Sequence, residues 1–196
     1  MHLEGTREWA EGHRFRAKLF GTCRQRGSGK DPSSRRQPSG ARLAASAGIV
    51  VAMRQVDTAP EDFLASLDED VRQDMERIDA LIGAAMTGRS RVLWEGVFWG
   101  GTEQRIIGYG DLVQPRPRGQ DVRWFVVGLA RQKAFISVYV NAARDGKYLL
   151  ADYADRLGRV KTGSAVVNFR TSDDLDLDAF AEMIAMASDL CPPDPK

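Results

Sequence analysis

From Glu69 onward the apolar residues Val71, Met75, Ile78, Ile82 and Ala85 recur at spacings of three and four, with charged and polar residues between them. That period lays one apolar stripe along a helix, predicted from Glu69 to Met86, with Asp68 as its N-cap and Thr87-Gly88 as its end. A shorter helix is expected before it, where Thr58 can cap, Pro60 suits the first turn, and Glu61 and Asp62 favour the positive end of the helix dipole. The pattern then changes to strand-like runs: Val92 to Trp99, Arg105 to Val113, Val122 to Ala130 and Ala134 to Val140. Gln114-Pro115-Arg116-Pro117-Arg118-Gly119 ends the second run, and Arg131-Gln132-Lys133 joins the last two as a hairpin. Ile136, Val138 and Val140 alternate with Phe135, Ser137 and Tyr139, which predicts one well-buried face. A helix around Tyr148 to Leu157, a turn at Lys161-Thr162-Gly163-Ser164 and a fifth strand from Ala165 to Phe169 follow. Asp176 caps a last helix with Leu177, Phe180, Ile184 and Ala187 as its stripe, stopped at Cys191-Pro192-Pro193.

Consecutive strands joined by short turns predict an α+β fold, a mostly antiparallel sheet of about five strands with the N- and C-terminal helices packed on one face. The folded unit is expected over 53–190, with 191–196 as a flexible tail. Residues 1–52 show neither period, and Gln25 to Ala41 is rich in Gly, Ser, Pro and Arg. Such a composition buries too little apolar area to offset chain entropy, so this leader is expected to be disordered. It reads as a basic arm or a transit peptide, or as upstream translation of a GC-rich gene whose true start is near Met53. Arginine outnumbers lysine 22 to 6, which favours the last reading.

Charge divides the chain in the same place. Residues 1–52 hold ten Lys/Arg and four acids, a net +6, whereas 53–196 hold 18 bases and 23 acids, a net −5. The domain therefore carries no clustered basic footprint for nucleic acid. The longest apolar run, Leu43 to Met53, is interrupted by Ser46 and Gly48 and is too short to span a bilayer. A cytoplasmic protein without membrane or nucleic-acid partners is expected. Both histidines, His2 and His13, lie in the leader, and Cys23 and Cys191 lie outside the expected core. Nucleophilic sites that need a histidine, and zinc sites of His/Cys type, cannot be assembled within the domain. There is no P-loop, and Ile107-Gly108-Tyr109-Gly110 lacks a third glycine at dinucleotide-binding spacing.

In serial order, Trp99, Ile106-Ile107-Gly108-Tyr109-Gly110, Trp124-Phe125-Val126-Val127-Gly128, Lys133, Leu157-Gly158-Arg159-Val160-Lys161-Thr162-Gly163 and Asp174-Leu175-Asp176-Leu177 resemble the YdhG-like family, long catalogued as a domain of unknown function. The match covers nearly all of 56–190. It implies a compact fold with helices packed on an antiparallel sheet, and for some members a role as frataxin-like iron chaperones. Family members commonly carry Lys-Ser-Cys after that Thr-Gly; this chain has Ser164, Ala165 and Val166 there.

Two constellations are candidate sites. Glu69, Asp70 and Asp74, within an acidic helix pair, are candidate ligands for weakly bound iron, since hard cations take carboxylate oxygens and Asp70 and Asp74 are one turn apart. The ordinary reading of the same acids is complementation of the helix dipole on a solvated face that Arg72 and Arg77 partly neutralise. Trp99, Tyr109, Lys133 and Lys161, with Trp94, Glu95, Trp124 and Tyr139, form an aromatic and basic set that could line one concavity for a small anionic ligand. Its ordinary reading is core packing with solvated lysines at strand ends. Cys191 has no basic neighbour in sequence and reads as incidental. The expected function is a non-enzymatic binding protein, an iron carrier or alternatively a module for a small anionic metabolite or a protein partner.

Overall fold

The computed structural model describes residues 53–97, 102–114 and 121–194, so the expected leader and Trp99 lie outside the described residues. The chain runs β1 (Arg54–Val56), α1 (Pro60–Ala65), α2 (Glu69–Ala85), β2 (Arg91–Val97), β3 (Glu103–Tyr109), β4 (Leu112–Gln114), β5 (Val122–Trp124), β6 (Val127–Arg131) and β7 (Ile136–Val140). It continues through β8 (Ala143–Arg144), β9 (Lys147–Tyr148), α3 (Leu150–Tyr153), β10 (Lys161–Thr162), β11 (Val166–Phe169), a 3-10 turn (Ser172–Asp174) and α4 (Leu177–Leu190). An antiparallel sheet in the order β1-β2-β3-β6-β7-β11-β10 forms the body, with β4–β5 and β8–β9 as separate hairpins.

The fold class is as expected, and the sheet is wider than expected, seven strands instead of five. Two of the added strands, β1 and β10, are three and two residues long, too short to show a period. Each of the two longest expected runs is also broken. The chain turns at Gly110, which takes φ +72°, and again at Phe125-Val126. The outer halves of these runs then pair with each other as β4–β5. Capping differs too. Asp176 accepts from the Ala179 N–H at 2.9 Å as expected, but Asp68 holds the N-cap position of α2 without a side-chain bond. Ala59, not Thr58, is the N-cap of α1, ahead of Pro60.

Register assigns the two faces of the sheet. Leu93, Ile107, Leu129, Val138 and Val167 lie directly opposite one another on five successive strands, all fully buried. This is the near face, and the helices cover it. Tyr109 and Arg91, paired across β2–β3, both bond to Asp79 of α2, and the Arg105 guanidinium lies 5.7 Å from the Phe63 ring of α1. Within the layer, α2 packs on α4 and α3 on α4.

On the far face, among the described residues, Trp124 at the end of β5 and Phe125 just after it pack back onto the sheet. Phe125 lies over Gly128 and Gly108, stacks on Trp124 at 4.7 Å and meets Trp94 edge-on at 5.8 Å. A Cβ at Gly108 would stand 2.6 Å from Trp94 Nε1 and 2.9 Å from Phe125 Cβ, so only glycine admits these rings so close to the backbone. Gly158 is required for another reason: it takes φ +90°, and its Cβ would meet the Asp174 carbonyl at 2.5 Å. There Leu157 and Arg159 exchange backbone hydrogen bonds with Asp176 and Asp174.

Chemical denaturation measures these constraints. Gly128→Ala is expected to destabilise by about 2–3 kcal/mol through overpacking against Phe125, and Gly158→Ala by a comparable amount through backbone strain and collision. Gly83→Ala in α2, where a Cβ meets nothing within 4 Å, is expected to stabilise by about 0.5–1 kcal/mol. Equal effects at all three positions would sink the packing account.

Candidate functional site

The acidic helix does not gather its carboxylates. Glu69 pairs with Arg72 one turn along, and Asp74 accepts from the backbone N–H of Ser172 at 2.8 Å, tying α2 to the 3-10 turn. Asp70 is exposed. Among the described residues no group of three His, Cys, Asp or Glu side chains is arranged to hold a metal ion. A surface recess beside α4, lined by Asp155, Arg156, Asp176, Asp178 and Glu182, is acidic, but Glu182 is already engaged by Arg156 and by the Tyr153 hydroxyl at 3.1 Å.

The aromatic and basic set divides between the two faces. Tyr109 belongs to the near face, 1% exposed, with its hydroxyl donated to Asp79. The same carboxylate accepts a bidentate pair from Arg91, Nε at 3.0 Å and Nη2 at 2.8 Å, and Arg91 also bonds Glu61 of α1. This is a structural clamp of two helices on two strands, and it leaves Tyr109 no open side for a ligand. Burial first, then the Asp79 charge, push the Tyr109 phenol well above its ordinary value. Glu95 also faces the helices' side, paired with Arg105 at 2.7 Å. Lys133 stands exposed in the β6–β7 turn. Lys161 is exposed in the edge strand β10, directly opposite Asn168, and not in a turn as expected. Trp99 lies outside the described residues.

On the far face the register draws one row across all seven strands: Gln55, Trp94, Ile106, Ala130, Ser137, Asn168 and Lys161. Its β2–β3 end is apolar and its β11–β10 end is polar. Ser137, 2% exposed, donates its hydroxyl to Asn168 Oδ1 at 2.6 Å. In this arrangement Nδ2 is the group left to donate, and it is buried without a partner among the described residues. Next to this pair, the Tyr139 hydroxyl lies 3.4 Å from both Gln104 Oε1 and Gln132 Nε2, which bond each other at 3.0 Å. Burial pushes the Tyr139 phenol up against the opposing effect of hydrogen bonding to Ser137, Gln104 and Gln132. Trp94 Nε1 is a second buried donor without a hydrogen-bond acceptor among the described residues, facing Gly108 beside Phe125.

Of the expected set, Trp94, Tyr139 and Lys161 thus share the far face, with Trp124 packed on Trp94 at 5.5 Å. Sequence reasoning missed Ser137, Asn168, Gln104 and Gln132 as site residues. The signal existed in part, since polar Ser137 alternates with apolar neighbours and Asn168 interrupts the apolar run Val166–Phe169. Cys191 also departs from expectation: it is buried, and Arg89, distant in sequence, bonds its carbonyl at 2.8 Å. The chain matches no family model, no curated protein and no solved structure.

Alkaline unfolding isolates the clamp. Because the folded Tyr109 phenol is raised, its contribution is complete below the unfolded value near 10 and is lost as pH rises past it. Tyr109→Phe is expected to reduce the loss of stability above pH ~10 by about one proton's worth of slope. An identical slope in the variant would contradict the assignment.

Proposed function

We propose that this is a non-enzymatic binding protein whose far sheet face takes a small anionic ligand at its Ser137–Asn168–Lys161 end. The observation that carries this reading is the Asn168 Nδ2 donor, buried beside Ser137 and without a partner among the described residues. Leaving such a donor unsatisfied costs about 1–3 kcal/mol, which an acceptor oxygen of a ligand would recover. Lys161, opposite in register and exposed, supplies the positive charge that distinguishes a carboxylate or phosphate from a neutral acceptor. The Tyr139–Gln104–Gln132 cluster offers neutral polar contacts on the same face. Turnover has little support, since the domain holds no histidine and its one thiol is buried. The iron carrier suggested by the YdhG-like resemblance is the weaker reading, because Glu69 and Asp74 are each engaged within the fold.

Nitrogen-15 NMR of the full chain, titrated separately with inorganic phosphate, citrate and ferrous iron, tests both. Citrate or phosphate is expected to shift the Asn168 side-chain amide and the Lys161 and Thr162 backbone signals along a saturating curve. Lys161→Gln is expected to weaken that binding by roughly tenfold, the loss of one charge-assisted hydrogen bond. Shifts that never saturate, or that leave Asn168 unmoved, would reject the anion site. Selective broadening of the Asp70 and Asp74 signals by iron would instead support the carrier.

A further inference from the structure

Residues 191–194 leave α4 and are held through Cys191, Pro192 and Asp194. Arg89, in the turn between α2 and β2, donates through Nη2 to the carbonyls of Ser188 at 2.5 Å and Cys191 at 2.8 Å, and through Nη1 to the carbonyl of Pro192. Its guanidinium also lies 3.3 Å from Asp194 Oδ1. Asp194 then divides its two oxygens between two loops. Oδ2 accepts from the Ser90 N–H at 2.6 Å, and Oδ1 accepts from the Asp111 N–H at 2.9 Å. Asp111 sits between β3 and β4, and its own carboxylate is paired with Arg123 of β5. A single carboxylate, 15% exposed, therefore joins the chain's end to the base of the β4–β5 hairpin and closes the strap beside the buried Cys191.

We propose that this strap is a latch: Asp194, seated on the Ser90 and Asp111 N–H groups, keeps the hairpin base and the strap that carries buried Cys191 in place, and its release loosens both while the main sheet stays folded. The short length of the strap makes this local. Two prolines, Pro192 and Pro193, offer no backbone donors of their own, so the segment is held by the Arg89 and Asp194 side-chain contacts rather than by a strand ladder. Charge at Asp194 is what the arrangement needs, since neutral oxygens accept such bonds less strongly. Burial raises its pKa, but the Ser90 and Asp111 N–H groups and Arg89 outweigh that and hold the carboxyl below its ordinary range. Stability from a depressed carboxyl is present above the unfolded value and is lost as pH falls through the folded one, so the latch is shut at neutral pH.

Thiol labelling of the full chain carrying Cys23→Ser, which leaves Cys191 as the one cysteine, tests it at neutral pH with hydrogen exchange in parallel. Asp194→Asn is expected to speed reaction of Cys191 with a disulfide reagent by about tenfold or more, and to speed exchange across 111–124. Exchange in β7 and in the middle of α4 is expected to stay as slow as before. Asp194→Glu, which keeps the charge one methylene out of place, is expected to fall between the two. Unchanged labelling in Asp194→Asn would overturn the latch. So would faster labelling matched by equal loss of protection in β7, which would mean that the whole domain had opened.

Discussion

A sheet with one layer of helices has to find other side chains to pack on its second face, and in this protein that constraint falls on two glycines. Gly108 and Gly128 are directly opposed on β3 and β6. Without side chains there, Phe125 can lie against the backbone and gather Trp94 and Trp124 around it. Each such aromatic contact contributes about 0.5–1.5 kcal/mol beyond the area it buries. The gain in geometry matters as much. Phe125 follows Trp124 directly, so seating the ring over the glycines also fixes where the β4–β5 hairpin leaves the sheet. The other face needs no such device, since α2 and α4 supply Met75, Ile78, Ile82, Phe180, Met183 and Ile184, all fully buried.

The long elements were legible because each repeats a period several times. The stripe of α2 and the alternation of β7 appear in the structure at the positions the pattern implies, with Ile136, Val138 and Val140 fully buried. What was not legible depends on partners distant in sequence. Nothing local says that Tyr109, expected as part of a ligand pocket, would donate to Asp79 of α2 instead. The same holds for Cys191, whose basic neighbour is Arg89, far along the chain. A run such as 105–113 looks continuous because apolar alternation survives the turn at Gly110, where only a positive φ records the break.

The glycine-bearing motifs that suggested the YdhG-like resemblance have a common character once placed. Gly108 and Gly128 seat an aromatic ring, Gly110 turns a strand out of the sheet, and Gly158 lets Leu157-Gly158-Arg159 pair with Asp174-Leu175-Asp176. Each demand is set by packing or by backbone conformation. Motifs of this kind specify how a chain folds and are neutral about what it binds, since the same scaffold can carry different sites. The residues proposed here to meet a ligand, Ser137, Asn168 and Lys161, include one member of those motifs, Lys161, and it lies at the edge.

The two faces therefore differ in the buried donors they leave over. On the near face the buried polar atoms of Arg91, Asp79 and Tyr109 satisfy one another, and the layer of helices closes on them. On the far face two buried donors, Trp94 Nε1 and Asn168 Nδ2, have no acceptor among the described residues. They are not equivalent. The indole N–H faces Gly108 beside the edge of Phe125, amid apolar contacts, where an aromatic neighbour offers at best a weak acceptor. The amide belongs to a polar pair and lies one strand from a lysine at the sheet's margin, where an incoming anion meets charge before it meets burial. Proteins rarely keep a buried donor idle, and this difference in surroundings is why the proposed site is placed at the β11–β10 end and not beneath the tryptophans.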